Sequence, residues 1–126
     1  MKLGYTILYV GDVNASVAFY ERAFGLERRF VHEGGDYAEM ATGTTALAFA
    51  SRALMHSLGK QPQVARPDAP SFEIALVTDE VEDAMARAVA AGAQAIKAPT
   101  QMPWGQTIAY VADIDGFLVE LCTPVA

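Results

Sequence analysis

The sequence predicts an α+β fold built from two consecutive βαβββ modules. Segments with strand-like and helix-like patterns recur in the same order in both halves of the 126 residues. Asp12 and Gly25 bound the first helical pattern, and Asp79 and Gly92 bound the second, each 67 positions after its counterpart. Repetition of a supersecondary unit at a fixed spacing indicates that one architecture is used twice.

The first module is predicted within about residues 1–50. Residues Leu3–Val10 alternate and are rich in strand-forming side chains, which predicts a strand. A helix follows, because Val13, Val17, Tyr20 and Phe24 recur at helical spacing. Gly25 then stands where a helix C-terminal cap is expected. Three further strands are predicted at 26–31, 37–41 and 45–50, with a hairpin turn at 33–36 between the first two.

The pattern breaks in a segment of about residues 51–70. It contains Pro62, Pro67 and Pro70 and shows no sustained periodicity beyond a short turn around 53–58. A stretch of this length is long for a loop inside a compact domain. It is interpreted either as a linker between the two modules or as a cover over a site.

The second module is predicted within about residues 71–126. An Asp-x-Asp-Gly turn at Asp113–Gly116 joins two apolar runs, which is a strong hairpin signal. The helix is expected to begin at Thr78-Asp79 and to end at Gly92. The remaining predicted elements are strands at 71–77, 93–97 and 106–112, a loop at 99–105 and a last strand after the turn.

Glu120 lies in the middle of that otherwise apolar last strand. A carboxylate in such a position needs water, a hydrogen bond, a cation or a metal beside it. Alternation places Glu73 on the lighter face of its own strand, with Ala75 and Val77, whereas the bulky residues occupy the other face. The bulky face is expected to meet the helix, which leaves both carboxylates free to line a cavity.

Composition excludes several classes of function. The formal net charge of −6 lacks the basic footprint that nucleic-acid binding requires, and it is compatible with a cationic ligand as well as with an ordinary soluble protein. No signal-peptide pattern or membrane-spanning apolar run is found. Cys122 is the single cysteine, so no internal disulfide can form. A cytoplasmic protein with no nucleic-acid or membrane partner is therefore expected.

Several motifs resemble those of the vicinal oxygen chelate superfamily, which includes glyoxalase I, extradiol dioxygenases, and fosfomycin- and bleomycin-resistance proteins. They are Tyr9-Val10-Gly11-Asp12-Val13, Phe19-Tyr20, Phe24-Gly25-Leu26 and Asp113-x-Asp115-Gly116-x-x-x-Glu120. The resemblance implies that both modules form a curved mixed sheet, with the helices on the convex side and a ligand in the concavity. It also implies a second copy that completes the groove, so a homodimer is expected.

The resemblance places the superfamily's four metal-binding positions on Tyr5, Ala48, Glu73 and Glu120. Metal-dependent members carry His, Glu or Gln, His and Glu there, so only Glu120 matches. Zn, Ni and Fe prefer sites with imidazole or thiolate donors. The prediction is therefore no cofactor, the alternative being a divalent metal held by Glu73 and Glu120.

Parity and the resemblance together suggest the residues that line the groove. Three alanines, among them Ala48, share one face of the fourth strand and leave room for a ligand or for a partner side chain at a dimer interface. His32 and His56 are interpreted as surface or structural residues, and Cys122 as a packed one. The predicted ligand-binding residues are Tyr5, Ile7, Tyr9, Ala48, Trp104, Gln106, Ile108 and Tyr110.

Two functions of different class remain open at this point. The first is a metal-free binding protein, similar to the bleomycin-resistance branch, that sequesters a small ligand, with a cationic one favoured by the acidic groove. The second is a glyoxalase-like lyase, isomerase or related enzyme in which Glu73 and Glu120 act as a catalytic carboxylate pair. Two close carboxylates raise each other's proton affinity, which suits one to act as acid and the other as base.

Overall fold

A computed structural model describes residues 1–125, and Ala126 lies outside that range. Both halves follow the order strand, helix and three strands, and a short helix follows the first module. The elements in chain order are β1 (Tyr5–Val10), α1 (Val13–Phe24), β2 (Arg28–Val31), β3 (Tyr37–Met40), β4 (Ala46–Ser51), α2 (Arg52–Ser57), β5 (Glu73–Val77), α3 (Val81–Ala90), β6 (Gln94–Gln101), β7 (Thr107–Ala112) and β8 (Leu118–Cys122).

The chain divides into two compact units, Met1–Val64 and the residues from Ala65 onward. Each unit contains one four-stranded mixed sheet and one long helix, so the α+β class and the paired βαβββ modules are confirmed. The segment predicted as a linker is shared between the units. Its first part forms α2, whose N-terminus is capped because the Ser51 Oγ accepts a hydrogen bond of 3.0 Å from the Leu54 amide.

The sheet of the first unit has the strand order β1-β4-β3-β2. β1 and β4 are parallel and the other pairs are antiparallel, with Ala48 opposite Ile7 on one side and Glu39 on the other. Helix α1 contacts β2, β3 and β4. Leu8, Val17 and Tyr20 are fully buried, and they form the centre of this core.

The predicted ends of α1 are confirmed. The Asp12 side chain accepts a hydrogen bond of 3.1 Å from the Ala15 amide, which satisfies an otherwise unpaired donor of the first turn. Gly25 adopts a left-handed conformation with φ 67° and donates its N–H to the Glu21 carbonyl. Glycine reaches this conformation without the steric cost that a Cβ brings.

The sheet of the second unit repeats this arrangement as β5-β8-β7-β6. β5 and β8 are parallel, and the register places Glu120 between Ala75 and Tyr110. Helix α3 contacts β6, β7 and β8, and Val111, Val119 and Leu121 are buried in this unit. The side chains at Ala75, Glu120 and Tyr110 alternate with these buried residues and therefore project from the opposite face.

Two predicted boundaries in the second module were wrong. Helix α3 begins at Val81 rather than at Thr78-Asp79, and its N-cap residue Glu80 makes no side-chain capping bond. β6 continues to Gln101, through the first part of the predicted loop at 99–105. Register shifts between Ala95 and Lys97 and between Lys97 and Thr100 interrupt the pairing there, which is how an edge strand accommodates a proline.

None of the helices in residues 1–125 is long and apolar enough to cross a membrane.

Candidate functional site

Glu73, Tyr110 and Glu120 come together on the second sheet, on the face opposite α3; we call them the carboxylate cluster. The Tyr110 hydroxyl donates a hydrogen bond of 2.9 Å to the Glu120 Oε1. Tyr110 and Glu120 are cross-strand partners on β7 and β8, and Ala75 is the next partner on β5. Glu73 lies two residues before Ala75, so its side chain projects from the same face.

The two carboxyl groups of the cluster interact. The pKa of Glu73 is raised from its ordinary value, first by partial burial of the carboxyl, then by the charge of Glu120 and by a hydrogen bond to it. A hydrogen bond with Tyr110 acts in the opposite direction. Two neighbouring carboxylates favour keeping a proton between them. Glu73 therefore holds its proton more tightly than an isolated glutamate does, because its pKa is raised.

Tyr110 acts as a fixed hydrogen-bond donor. Burial, followed by its hydrogen bond to Glu120 and the charge of that carboxylate, raises the pKa of Tyr110 to about 12. The phenol therefore stays protonated at neutral pH and holds the Glu120 carboxylate in one orientation.

The charge of the cluster is not neutralised by any basic side chain of the described residues. Among residues 1–125, neither Glu73 nor Glu120 forms an ion pair with a lysine, arginine or histidine. Lys97 is paired with Tyr110 in the register of β6 and β7, but it makes no ion pair with either carboxylate. The cluster is thus an acidic site, with Glu73 exposed and Glu120 half-buried, whose charge a ligand could balance.

Cys122 is buried on the same face, two residues after Glu120. Burial is the main reason that the pKa of its thiol is raised to about 11, with Glu120 contributing next. The thiolate is the reactive form of cysteine. Cys122 is therefore a packed residue rather than a nucleophile at neutral pH.

Three predicted ligand-binding residues lie just before or on β7, and they differ in burial and in hydrogen bonding: Trp104, Gln106 and Ile108. The Gln106 Oε1 accepts a hydrogen bond of 2.7 Å from the Trp104 indole, and its Nε2 donates one of 2.8 Å to the Thr123 carbonyl. Gln106 thus ties the turn before β7 to the residue after β8. Ile108 is buried, whereas Trp104 is 61% exposed and offers an aromatic surface.

The other predicted ligand-binding residues belong to the first unit. Tyr5, Ile7 and Tyr9 alternate with the buried Leu8 and therefore share the face opposite α1. Tyr5 is 57% exposed and Ile7 44%, while Ala48 between Ile7 and Glu39 is fully buried. The predicted residues therefore divide between two sheet faces, and their role in ligand binding stays a prediction.

The side chains at the superfamily's metal positions do not fit a transition metal. Tyr5 and Ala48 supply neither an imidazole nor a carboxylate, so the donors that remain are Glu73 and Glu120. Among residues 1–125, no three or more histidine, cysteine, aspartate or glutamate side chains are grouped to hold a metal ion. A pair of carboxylates without imidazole is a weak set of donors for Zn, Ni or Fe.

Two polar residues of the first unit were not predicted from the sequence, the buried carboxylate Glu39 and the lysine Lys60. Glu39 is only 6% exposed and accepts hydrogen bonds from the Tyr37 hydroxyl at 2.9 Å and from Arg29 at 3.4 Å. Its position in the short apolar strand β3 is the same signal that identified Glu120. Lys60, described below, carries no comparable signal because it lies in an irregular segment.

Comparison with solved structures supports the fold. The chain is similar to a glyoxalase-related enzyme from Fulvimarina pelagi, with 26% identity, 98% of this chain and 88% of that chain covered, and a TM-score of 0.85. A glyoxalase/bleomycin resistance protein/dioxygenase family enzyme from Burkholderia phytofirmans PsJN is 23% identical over all of both chains, with a TM-score of 0.77. TioX from Micromonospora sp. ML1 is 20% identical over 98% of each chain, with a TM-score of 0.73.

The sequence matches a family model, but it matches no individual curated protein. No curated protein matches the chain significantly. The family model of the Glyoxalase/Bleomycin resistance protein/Dioxygenase superfamily matches residues 2–121. That match spans nearly the whole chain and agrees with the paired βαβββ modules, so the chain belongs to the Glyoxalase/Bleomycin resistance protein/Dioxygenase superfamily.

Proposed function

We propose that this protein binds and sequesters a small cationic molecule, with the carboxylate cluster of the second unit as its recognition element. The observation that carries the proposal is the absence of any ion pair to Glu73 or Glu120 among residues 1–125, although the two carboxyls interact. The single, buried Cys122 is consistent with action in the reducing cytoplasm.

A bound cation would relieve the repulsion between the two carboxylates. The half-buried position of Glu120 weakens the solvation of its carboxylate, so an ammonium or amidinium ion that replaces the lost water gains more there than at an open surface. The hydrogen bond from Tyr110 keeps the Glu120 carboxylate oriented, which lowers the entropic cost of binding. The exposed indole of Trp104 supplies an aromatic surface of the kind on which a planar ligand stacks.

Isothermal titration calorimetry with two cationic probes tests this function. Benzamidine offers a planar amidinium that can bridge two carboxylates, and metal-free bleomycin offers a larger cationic ligand. We expect Glu73→Gln and Glu120→Gln each to weaken binding about tenfold or more, since a charge-assisted hydrogen bond contributes roughly 1.5–3 kcal/mol. Glu33→Gln is the matched control, because Glu33 is an exposed glutamate in the hairpin turn of the first unit.

One calorimetric outcome would reject cation binding by the carboxylate cluster. If neither probe binds, or if both bind equally well to the wild type and to the two cluster variants, the carboxylate cluster does not recognise cations.

The second candidate function is an enzyme in which Glu73 and Glu120 transfer a proton to and from a substrate. The raised pKa of Glu73 favours this function. A carboxyl that holds its proton more tightly than usual, beside a second carboxyl, offers a proton donor and a proton acceptor in one site. The test is isomerisation of the hemithioacetal of methylglyoxal and glutathione in the presence of a chelator. Turnover that Glu73→Gln or Glu120→Gln abolishes would favour this enzyme over simple sequestration. Absence of turnover together with probe binding would favour the binding protein.

A further inference from the structure

A second polar arrangement lies in the first unit, around the hydroxyl of Tyr9. The Lys60 ammonium is 3.1 Å from this hydroxyl and 3.6 Å from the Met55 Sδ, and it stands 5.4 Å from the centre of the Tyr9 ring. The Lys60 amide also donates a hydrogen bond of 3.0 Å to the Met55 carbonyl, which fixes the backbone just after α2. The lysine is therefore exposed but held in a defined position.

A second cation approaches Tyr9 from α2. The Arg52 Nη1 makes a weak contact of 3.5 Å with the Tyr9 carbonyl oxygen. A Cβ at Gly11 would lie only 2.9 Å from the Arg52 Nη2, so glycine leaves the room that this guanidinium occupies. Tyr9 is thus flanked by a guanidinium at its backbone and by an ammonium at its hydroxyl.

In the described part of the chain, neither cation is matched by an acidic side chain. Among residues 1–125, Arg52 and Lys60 form no ion pair with an aspartate or glutamate. The contact of Lys60 with the Tyr9 ring is a cation–π interaction at an exposed site, which contributes modestly to stability and leaves the ammonium accessible to a ligand.

We propose that the Tyr9 hydroxyl and the Lys60 ammonium form a binding site for an oxyanion, namely a carboxylate or a phosphate group. The Lys60 ammonium has three donors and uses one on Tyr9 and a weak one on sulfur, which leaves a donor for a ligand. Because the Tyr9 oxygen accepts from Lys60, its own O–H can donate to the same anion. Two adjacent donors, one of them charged, suit the geometry of a carboxylate or phosphate.

This site is independent of the cation recognition proposed above, because it uses residues of the first unit alone. Its test is an NMR titration of the ¹⁵N-labelled protein with sodium phosphate and, separately, with sodium benzoate. Sodium chloride at matched ionic strength serves as the reference. We expect saturable shifts at the amides of Tyr9 and Lys60, with a Kd on the order of 1–10 mM for a lone oxyanion. The ratio of the two Kd values tells whether the site prefers phosphate or carboxylate.

Three single substitutions test which side chains donate hydrogen bonds to the oxyanion. Lys60→Gln should weaken binding at least about fivefold, Tyr9→Phe should weaken it by a smaller factor while keeping the ring, and Lys2→Gln should leave it unchanged. Lys60 and Lys2 are both exposed, so neither replacement threatens the fold. Shifts that do not saturate, that chloride reproduces, or that persist unchanged in Lys60→Gln would overturn the proposal.

Discussion

At the scale of single residues, the neighbours of an ionisable group decide what it does. Glu120 occupies a position that carries a metal ligand in metal-dependent relatives, yet here its carboxylate accepts a hydrogen bond from Tyr110. Glu39 also accepts a hydrogen bond from a tyrosine hydroxyl, but in addition it pairs with Arg29. A carboxylate with a cationic partner is compensated, whereas the carboxylate cluster keeps its negative charge available for a ligand.

Removing the charge of Glu73 should stabilise the protein at neutral pH. The folded-state pKa of Glu73 is raised above its ordinary value of 4.5, so its favourable contribution to stability exists below that value and is lost as the pH rises through the folded pKa. Because the residue is exposed, we expect Glu73→Gln to add only a few tenths of a kcal/mol at pH 7. This corresponds to about 1–3 °C in Tm by calorimetry. At pH 4 the gain should shrink, and a gain that grew on acidification would contradict the prediction.

Gly116 should tolerate alanine poorly. Its φ is 93°, and a Cβ there would overlap the carbonyl oxygen of Ala65. Backbone strain and the overlap together should cost about 2–5 kcal/mol in the free energy of unfolding, measured with urea. Gly43→Ala is the matched control, because Gly43 has a similar φ of 99° but open space around it. Equal losses in both variants would show that the approach of Ala65 is unimportant.

At the scale of elements, the two long helices are stabilised differently at their N-termini. α1 has the Asp12 cap, whereas α3 lacks a capping side chain and instead carries Glu82 and Asp83 in its first turn. These charges interact favourably with the partial positive charge of the helix N-terminus. Both helices therefore stabilise their first turns, one by a hydrogen bond and the other by charge.

Asp12→Ala should remove about 1 kcal/mol from the free energy of unfolding, because the Ala15 amide loses its acceptor. Asp12→Asn keeps an oxygen acceptor and should stay close to the wild type. Urea unfolding of both variants checks this expectation. If asparagine cost as much as alanine, the charge of Asp12 rather than its capping bond would be the stabilising feature.

At the scale of the whole molecule, the protein should carry no stoichiometric transition metal. Tyr5 and Ala48 supply no suitable donor, and two carboxylates alone bind Zn, Ni or Fe weakly. Elemental analysis of the purified protein is the direct measurement, and about one tightly held metal per chain would contradict the expectation. Glu73→His alone should not create a site, because the donors at the other two positions would still be missing.

We also expect a homodimer. Tyr5 and Ile7 on β1 and Val77 on β5 are large exposed apolar residues on edge strands, and a second copy commonly covers such edges. Light scattering should give twice the chain mass of 13.5 kDa at micromolar concentration. Ile7→Asp should shift the protein towards the monomer. A wild-type protein that is monomeric under these conditions would rule out the predicted assembly.

Local patterns were sufficient for much of this fold. The Asp12 and Gly25 caps, the repeat of the modules and the alternation that places Glu73 and Glu120 on the lighter face all follow from neighbours in the chain. These features depend on backbone geometry within a few residues, which the sequence carries directly.

Other features required the tertiary structure. The extension of β6 past Pro99, the hydrogen bond from Tyr110 to Glu120 and the position of Lys60 over Tyr9 join residues that are brought together only by strand register or by the path of the chain. Register is set by pairing across the whole sheet, and bulges shift it without a clear local signal. The sequence by itself therefore determined the modules and the faces of their strands. Only the tertiary structure decided which side chains meet, because partner choice depends on contacts that are distant in the chain.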